Sequence, residues 1–378
     1  MTPLTTLGTT AELDQLLNDV CIAIQLTETQ YSLAEERYTT IGKWLAEPGT
    51  SIALFRPNIF PQGSVRLQTT VKPRPDVVDE EYDVDLVCLL ELHPSLYQDP
   101  MMVYGMVENR LKENANYRGK IERFKRCLRI NYANEFHLDI TPACPDPIKG
   151  GTSLLVPDKN RRGWVASDPL GFSRWFDAQA RRIHQRFVEK KVQPFPEQES
   201  AEEKAPLRRA VQLLKRRRDV VFEGDDNSPR SVALTTLAGH HYQGEESVSD
   251  TLAGILTSLV YRVNTTTGVL SVPNPTNPSE LFCEAWRNDL AAYGAFISFV
   301  RNFEEQFSTL KQASGLTQVR KMLDQMFGET TTQLAFTRYT ERMAKQRNLG
   351  LYTSGTAVGL TAAAVRTSPI PKNTFYGV

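Results

Sequence analysis

The sequence predicts a two-lobed α/β protein, with strands and helices interleaved over residues 1–165 and helices dominating residues 166–350. Three observations carry that reading. The segment Glu81–Leu90 is nearly all apolar apart from its carboxylates, as a central strand is. Cys127–Tyr132 and Phe136–Pro142 read as a strand pair around the turn Ala133-Asn134-Glu135. From Asp168 to Leu349 apolar residues recur at helical spacing between start and stop signals.

In chain order, Glu12–Leu45 reads as one long helix. Leu13, Leu16, Leu17, Val20, Ile24, Tyr31, Tyr38, Ile41 and Leu45 recur along one face, and Pro48-Gly49 stops it. Ile59–Gln62 reads as a strand, followed by Gly63-Ser64 and a short segment, Ser64–Thr70, which if helical points free N–H groups at an anion. Lys72–Tyr82, with Pro73-Arg74-Pro75-Asp76, is a loop; Asp83–Leu90 is the central strand and Ser95–Asn114 a helix. Pro145–Asp158 is loop-like, with a short strand at Leu154–Val156. Asp168 suits an N-cap and Pro169 the first helical position after it. Val192–Gln198, carrying Pro194 and Pro196, is a crossover. Ser200-Ala201-Glu202-Glu203 reads as the capping box of a helix carrying Leu207, Ala210, Val211 and Leu214. Ser231–His241, Val248–Val263, Pro278–Phe307, Thr317–Phe327 and Thr330–Gln346 follow as helices. Residues 351–378 lack amphipathic period and read as a flexible tail.

Composition narrows the function classes. The 378 residues are 40% hydrophobic and 23% charged, ordinary for a globular protein with a sizeable core. The five cysteines form no C-x-x-C pair, which argues against structural zinc and for a reducing, cytoplasmic setting. Met1–Thr10 is short and polar, and no run approaches the ~18 apolar residues of a membrane span, so no membrane partner is expected. Basic and acidic residues balance at 44 each, unlike a clamp on long nucleic acid. The one dense basic run, Lys215-Arg216-Arg217-Arg218, reads as a solvated helix face.

The chemistry concentrates on three acids. Residues i and i+2 of a strand share a face, so Asp83 and Asp85 stand roughly 6–7 Å apart. Like charges that close repel, and burial sharpens the repulsion; a hard divalent cation such as Mg²⁺ relieves it. With Gly63 allowing close backbone approach and Ser64 opening the next segment, metal and phosphate cradle together read as nucleotide chemistry. Two-metal phosphoryl transfer needs a third acid, and Phe136-His137-Leu138-Asp139-Ile140 offers Asp139. His137 shares its face and reads as a residue that satisfies a neighbour, while His240-His241 lack companions at ligand spacing.

Gly-Ser, then Asp-x-Asp, then a lone strand Asp resembles the DNA polymerase β-like nucleotidyltransferase superfamily. Within it the chain resembles the bacterial cGAS/DncV-like nucleotidyltransferases (CD-NTases) of the CBASS anti-phage system. The likeness rests on Phe60-Pro61-Gln62-Gly63-Ser64, the acid motifs, Ala166-Ser167-Asp168-Pro169 with Trp175-Phe176, Leu207–Asp219 and Pro229–Leu234. It implies a nucleotidyltransferase core with a mixed central sheet, a long N-terminal spine helix (residues 1–165), a C-terminal helical lobe (166–350) and an active site in the cleft between lobes. It also implies a cytoplasmic enzyme using two Mg²⁺ ions, or Mn²⁺ in their place, to join ATP and GTP into a cyclic GMP-AMP-like dinucleotide. Asp83, Asp85 and Asp139 would hold metal, with Asp139 helping to deprotonate the attacking hydroxyl. Gly63 and Ser64 would position the donor triphosphate, and Lys215 and Ser231 would contact its outer phosphates, although Ser231 read alone is a helix N-cap. The product would activate a partner effector, and the tail Asn373–Val378 would suit conjugation by ubiquitin-transfer-like enzymes. Rival readings are a cyclic trinucleotide synthase, a template-independent transferase acting on RNA ends or a protein, and a degenerate binding protein or antitoxin.

Overall fold

The structure, a computed structural model, describes residues 10–74, 77, 81–132, 136–180, 193–201, 203–348, 352–354, 360–362 and 368–369. Two helices open it, α1 (Thr10–Ile24) and α2 (Glu28–Leu45), where a single helix was expected. The break is built by Thr27. Its side chain accepts from Gln30 N at 3.2 Å while its own N–H donates to Gln30 Oε1 at 3.0 Å, a reciprocal cap that starts a new helix. The apolar period runs through the break because each helix buries a face, but in different cores.

A mixed sheet follows. Strand β1 (Asn58–Pro61), the single turn α3 (Gly63–Arg66), β2 (Tyr82–Leu89), α4 (Met101–Lys112), α5 (Ala115–Arg118), β3 (Ile121–Arg123), β4 (Leu128–Tyr132), β5 (Phe136–Pro145), β6 (Leu154–Asp158) and β7 (Gly163–Ser167) build it. The order is β1-β2-β5-β4-β3, with β6 on β5 and β7 on β6; β2 and β5 run parallel and the other pairs antiparallel. One face, carrying Val84, Leu86, Leu138, Ile140, Leu128 and Ile130, is buried under α2 and α4. Helix α4 begins at Met101 rather than Ser95, since Pro94 and Pro100 confine the intervening chain to turns. Strands β3 and β7 were not anticipated, and residues 133–135 lie outside the described residues.

The helical part comprises α6 (Pro169–Gln179), α7 (Pro206–Val221), α8 (Ser231–His241), α9 (Val248–Thr265), the hairpin β8 (Pro273–Asn274) and β9 (Asn277–Leu281), α10 (Glu284–Asn288), α11 (Leu290–Gln312), α12 (Leu316–Phe327) and α13 (Glu329–Asn348). Asp168 caps α6 by accepting from Gly171 N at 2.9 Å. Ser200 does accept from Glu203 N, but that turn ends before α7, which starts on Pro206. Pro278 lies in β9, so the helix expected at Pro278–Phe307 is replaced by a hairpin, a short helix and then α11, capped by Asp289. Helix α1 packs into this helical core, not onto the sheet. Within the expected tail, β10 (Tyr352–Ser354) pairs antiparallel with β11 (Leu360–Ala362) and β12 (Ser368–Pro369), short strands where no regular structure was expected; the conjugation segment Asn373–Val378 lies outside the described residues. Among the described residues no helix is long and apolar enough to cross a membrane.

Removing the reciprocal cap with Thr27→Ala should cost about 1 kcal/mol. A urea midpoint unchanged from wild type would mean that something other than the cap fixes the start of α2.

Candidate active site

Strand pairing places the acids. Asp85 is the direct neighbour of Asp139 across the parallel β2–β5 pair, and Asp139 is the direct neighbour of Arg129 across the antiparallel β5–β4 pair. Asp85, Asp139 and Arg129 therefore form one row across three strands, with Asp83 one step along the same face. The alternate residues of each strand face the apolar core, which locks this register: a slip by one residue would bury the charges.

Gly63 closes on this row from β1. Its φ is +62°, and a Cβ there would lie 2.3 Å from Asp85 Oδ2, so both backbone angle and space require glycine. Gln62 N donates to Asp85 O at 2.9 Å, tying the turn to β2. The first residues of α3 follow, and Thr70 Oγ1 donates to Ser64 Oγ at 3.2 Å.

A cleft of about 440 Å³ opens here, lined by Gln62, Gly63, Ser64, Asp83 and Asp85 from the sheet side and by Lys215, Arg218, Ser231 and Thr235 from α7 and α8. Phe172 and Phe282, edge to face at 5.5 Å, form an apolar wall. The structure thus brings Gly63, Ser64, Asp83, Asp85, Lys215 and Ser231 to one cavity. Asp139 is not part of the lining; it is 8% exposed and lies under Arg129.

The electrostatics are uneven. Arg129 grips Asp139 with both arms, Nε to Oδ1 at 2.7 Å and Nη2 to Oδ2 at 2.8 Å, and Nη2 also donates to Asp83 Oδ1 at 3.1 Å. Asp85 is not among its partners. Burial first, then the charges of Asp83 and Asp139, pushes the Asp85 carboxyl up to about 8. Lys215 is buried, donating to Thr69 O at 3.1 Å and Thr69 Oγ1 at 3.0 Å; burial, then the charge of Arg218, brings its ammonium down to about 7. The hydroxyl of Ser231 accepts from Arg218. Ser231 is the first residue of α8 and not its cap: the N-cap position is Arg230, which makes no side-chain capping bond. An uncapped helix start that lines a cavity beside Lys215 and Arg218 suits an anion.

The solvated-face reading of the basic run is overturned. Arg216 and Arg217 are 1% and 7% exposed, and both donate to carbonyl oxygens of neighbouring segments, Lys72 O and Gln325 O. His137 Nδ1 sits 2.9 Å from Glu81 Oε2, and the His240 ring lies tilted against Trp175 with ring centres 4.9 Å apart. Sequence reasoning missed Arg129, Arg218, Phe172 and Phe282. For Arg129 a signal existed: it is a lone charge between Leu128 and Ile130, in a strand paired with the one carrying Asp139.

No group of three or more His, Cys, Asp and Glu side chains among the described residues is closed up as a metal cage. The donor set nevertheless fits a hard divalent cation. It consists of carboxylate oxygens, and burial beside Asp83 and Asp139 raises the Asp85 carboxyl, a repulsion that a divalent cation would relieve.

The profile of the Second Messenger Oligonucleotide or Dinucleotide Synthetase domain matches residues 11–179. A protein of Roseivirga ehrenbergii named c-di-GMP synthase is 34% identical over 97% of this chain and 97% of its own. The cyclic dinucleotide synthase CdnG of Bradyrhizobium diazoefficiens is 24% identical over 95% of this chain and 92% of its own. The structure of that CD-NTase in complex with GTP superposes with a TM-score of 0.69 and 23% identity, covering 87% of this chain and 99% of that one. Vibrio cholerae DncV in complex with a linear intermediate superposes with a TM-score of 0.54 and 17% identity, covering 88% and 94%. The α/β core with its mixed sheet and helical C-terminal region is the architecture of these structures.

Gly63→Ala should destabilise the protein by about 1–2 kcal/mol from the backbone alone, with more from the contact on Asp85; a thermal melt equal to wild type would mean that the turn relaxes freely. Asp85 binds its proton more tightly folded than unfolded, so metal-free protein should lose stability as pH rises from about 4 to about 8. Melting temperatures in EDTA across that window should fall, and Asp85→Asn should flatten the decline.

Proposed function

This chain belongs to the bacterial CD-NTase family of second messenger oligonucleotide or dinucleotide synthetases, and from that premise we propose that its cleft joins two GTP molecules into a cyclic dinucleotide. The observation that carries the reading is one cavity in which an acid row meets a phosphate cradle. The similarity to a c-di-GMP synthase favours GTP in both positions over the mixed GMP–AMP product that the resemblance implied.

Asp83 and Asp85 would hold Mg²⁺, two ions with Asp139 included, and such ions supply charge stabilisation for the transferring phosphoryl group and a more acidic acceptor hydroxyl. The chain's own groups do the rest. The Gly63–Ser64 turn brings backbone against the donor phosphates. Lys215, Arg218 and the open start of α8 with Ser231 offset the charge of the outer phosphates. An anion beside Lys215 favours its charged form, so triphosphate binding draws a proton onto that amine. Phe172 and Phe282 offer faces for base stacking. Forming the second bond requires the linear intermediate to be turned and bound again in the same cleft. The activated effector and the conjugation of the tail remain readings carried by the family resemblance.

Purified protein given all four nucleoside triphosphates and Mg²⁺ should yield a phosphatase-resistant product with the mass of cyclic di-GMP. Asp83→Ala and Asp85→Ala should each lower its yield by at least about 10²-fold, the scale of a lost charge-stabilising group. A mixed-base or three-nucleotide ring would correct the substrate assignment. Elongation of tRNA or oligo(A) without a cyclic product would favour the template-independent transferase. Absence of both product and metal-dependent nucleotide binding would favour the degenerate binding protein.

A further inference from the structure

Arg129 stands where the charge balance of the site is decided. It occupies the row position beside Asp139, its guanidinium lies 4.6 Å from the centre of the Phe124 ring, and its side chain is only 20% exposed. Both oxygens of Asp139 and one oxygen of Asp83 accept from it. Planar guanidinium geometry lets one group bridge two carboxylates, which a lysine ammonium does as a single point. Asp83 and Asp139 are therefore already bridged by a cation, and the acids are not closed around an empty cage.

We propose that Arg129 is a resident counter-ion of the acid row: it holds Asp83 and Asp139 in line without metal and competes with a divalent ion for the same oxygens. This rests on the reading of that row as the metal centre. One positive charge on Asp83 and Asp139 weakens the pull of the row on a free ion. An ion arriving with a triphosphate brings phosphate oxygens as further ligands, and its phosphates give the displaced guanidinium an alternative acceptor. Metal binding is thereby coupled to nucleotide binding, and bare ions are held weakly. Arg129 is a positioning residue, acting through the carboxylates.

The test is Mn²⁺ binding to nucleotide-free protein, followed by the paramagnetic resonance of free Mn²⁺, for wild type, Arg129→Gln and Asp85→Asn. Arg129→Gln should bind Mn²⁺ at least about tenfold tighter, within the coupling measured for close charge pairs. It should also melt at a lower temperature than wild type in EDTA, and a non-hydrolysable GTP analogue should improve its Mn²⁺ affinity less than it improves that of wild type. Unchanged or weaker Mn²⁺ binding by Arg129→Gln, with wild-type binding still lost in Asp85→Asn, overturns the counter-ion role and leaves the metal centre standing. Wild-type binding that survives Asp85→Asn overturns both. If Arg129→Gln does not fold, Arg129→Met, which removes the charge but keeps an unbranched side chain against Phe124, is judged by the same criterion.

Discussion

Like charges brought onto neighbouring strands must be compensated, and that constraint orders the rest of this molecule. The β2–β5–β4 pairing sets Asp85, Asp139 and Arg129 in a row, with Asp83 beside it. The opposite face of the same strands is apolar and covered by helices, so hydrophobic burial fixes the register that a repulsive cluster alone would not choose. Compensation is then local and unequal. Asp139 has a guanidinium on both oxygens, Asp83 shares it, and Asp85, with none, has its carboxyl pushed up by burial and by both neighbours. That unequal balance makes the row receptive to a cation and keeps it intact without one.

The other half of the cleft depends on α7. This helix buries basic residues on several sides, and each reaches a neighbouring segment: Arg208 to Leu67 O and Asp177, Arg209 to Asn18, Arg216 to Lys72 O, Arg217 to Gln325 O. A buried arginine is tolerable because its several donors find carbonyl acceptors. Lys215 follows the same pattern through Thr69, but it faces the cavity. The helix thus fastens the segment after Gly63-Ser64 to the helical core, and the phosphate cradle keeps its place relative to the acids.

The acids were legible because strand alternation is strict and charges in an apolar strand are conspicuous. Gly63 was legible as a close-approach residue, although only the structure names Asp85 as what it approaches. Helices α8, α9 and α12 matched the apolar period closely, whether capped by a side chain, as α9 is by Ser247, or not. The period misled where two amphipathic helices abut, as at Thr27, since it records that a face is buried and not in which core. It also misled at Lys215–Arg218, where charge density resembles a solvated surface and the carbonyl partners come from over 100 residues away. Arg129 was hidden for a related reason: its meaning depends on which strand lies beside β4.

The contact between α1 and α13 carries a consequence for how the protein is made. Asp19, buried on α1, receives both arms of Arg342 at 2.8 and 2.6 Å across 323 residues of chain, and Ala335, Tyr339 and Met343 complete the core that α1 begins. At roughly 5–20 residues per second, a ribosome takes tens of seconds to cover that distance. The sheet can pair early, but the helical core lacks a wall until its last helix emerges. A nascent or truncated chain therefore has its row of acids paired before the helical core that carries α7 and α8 is closed.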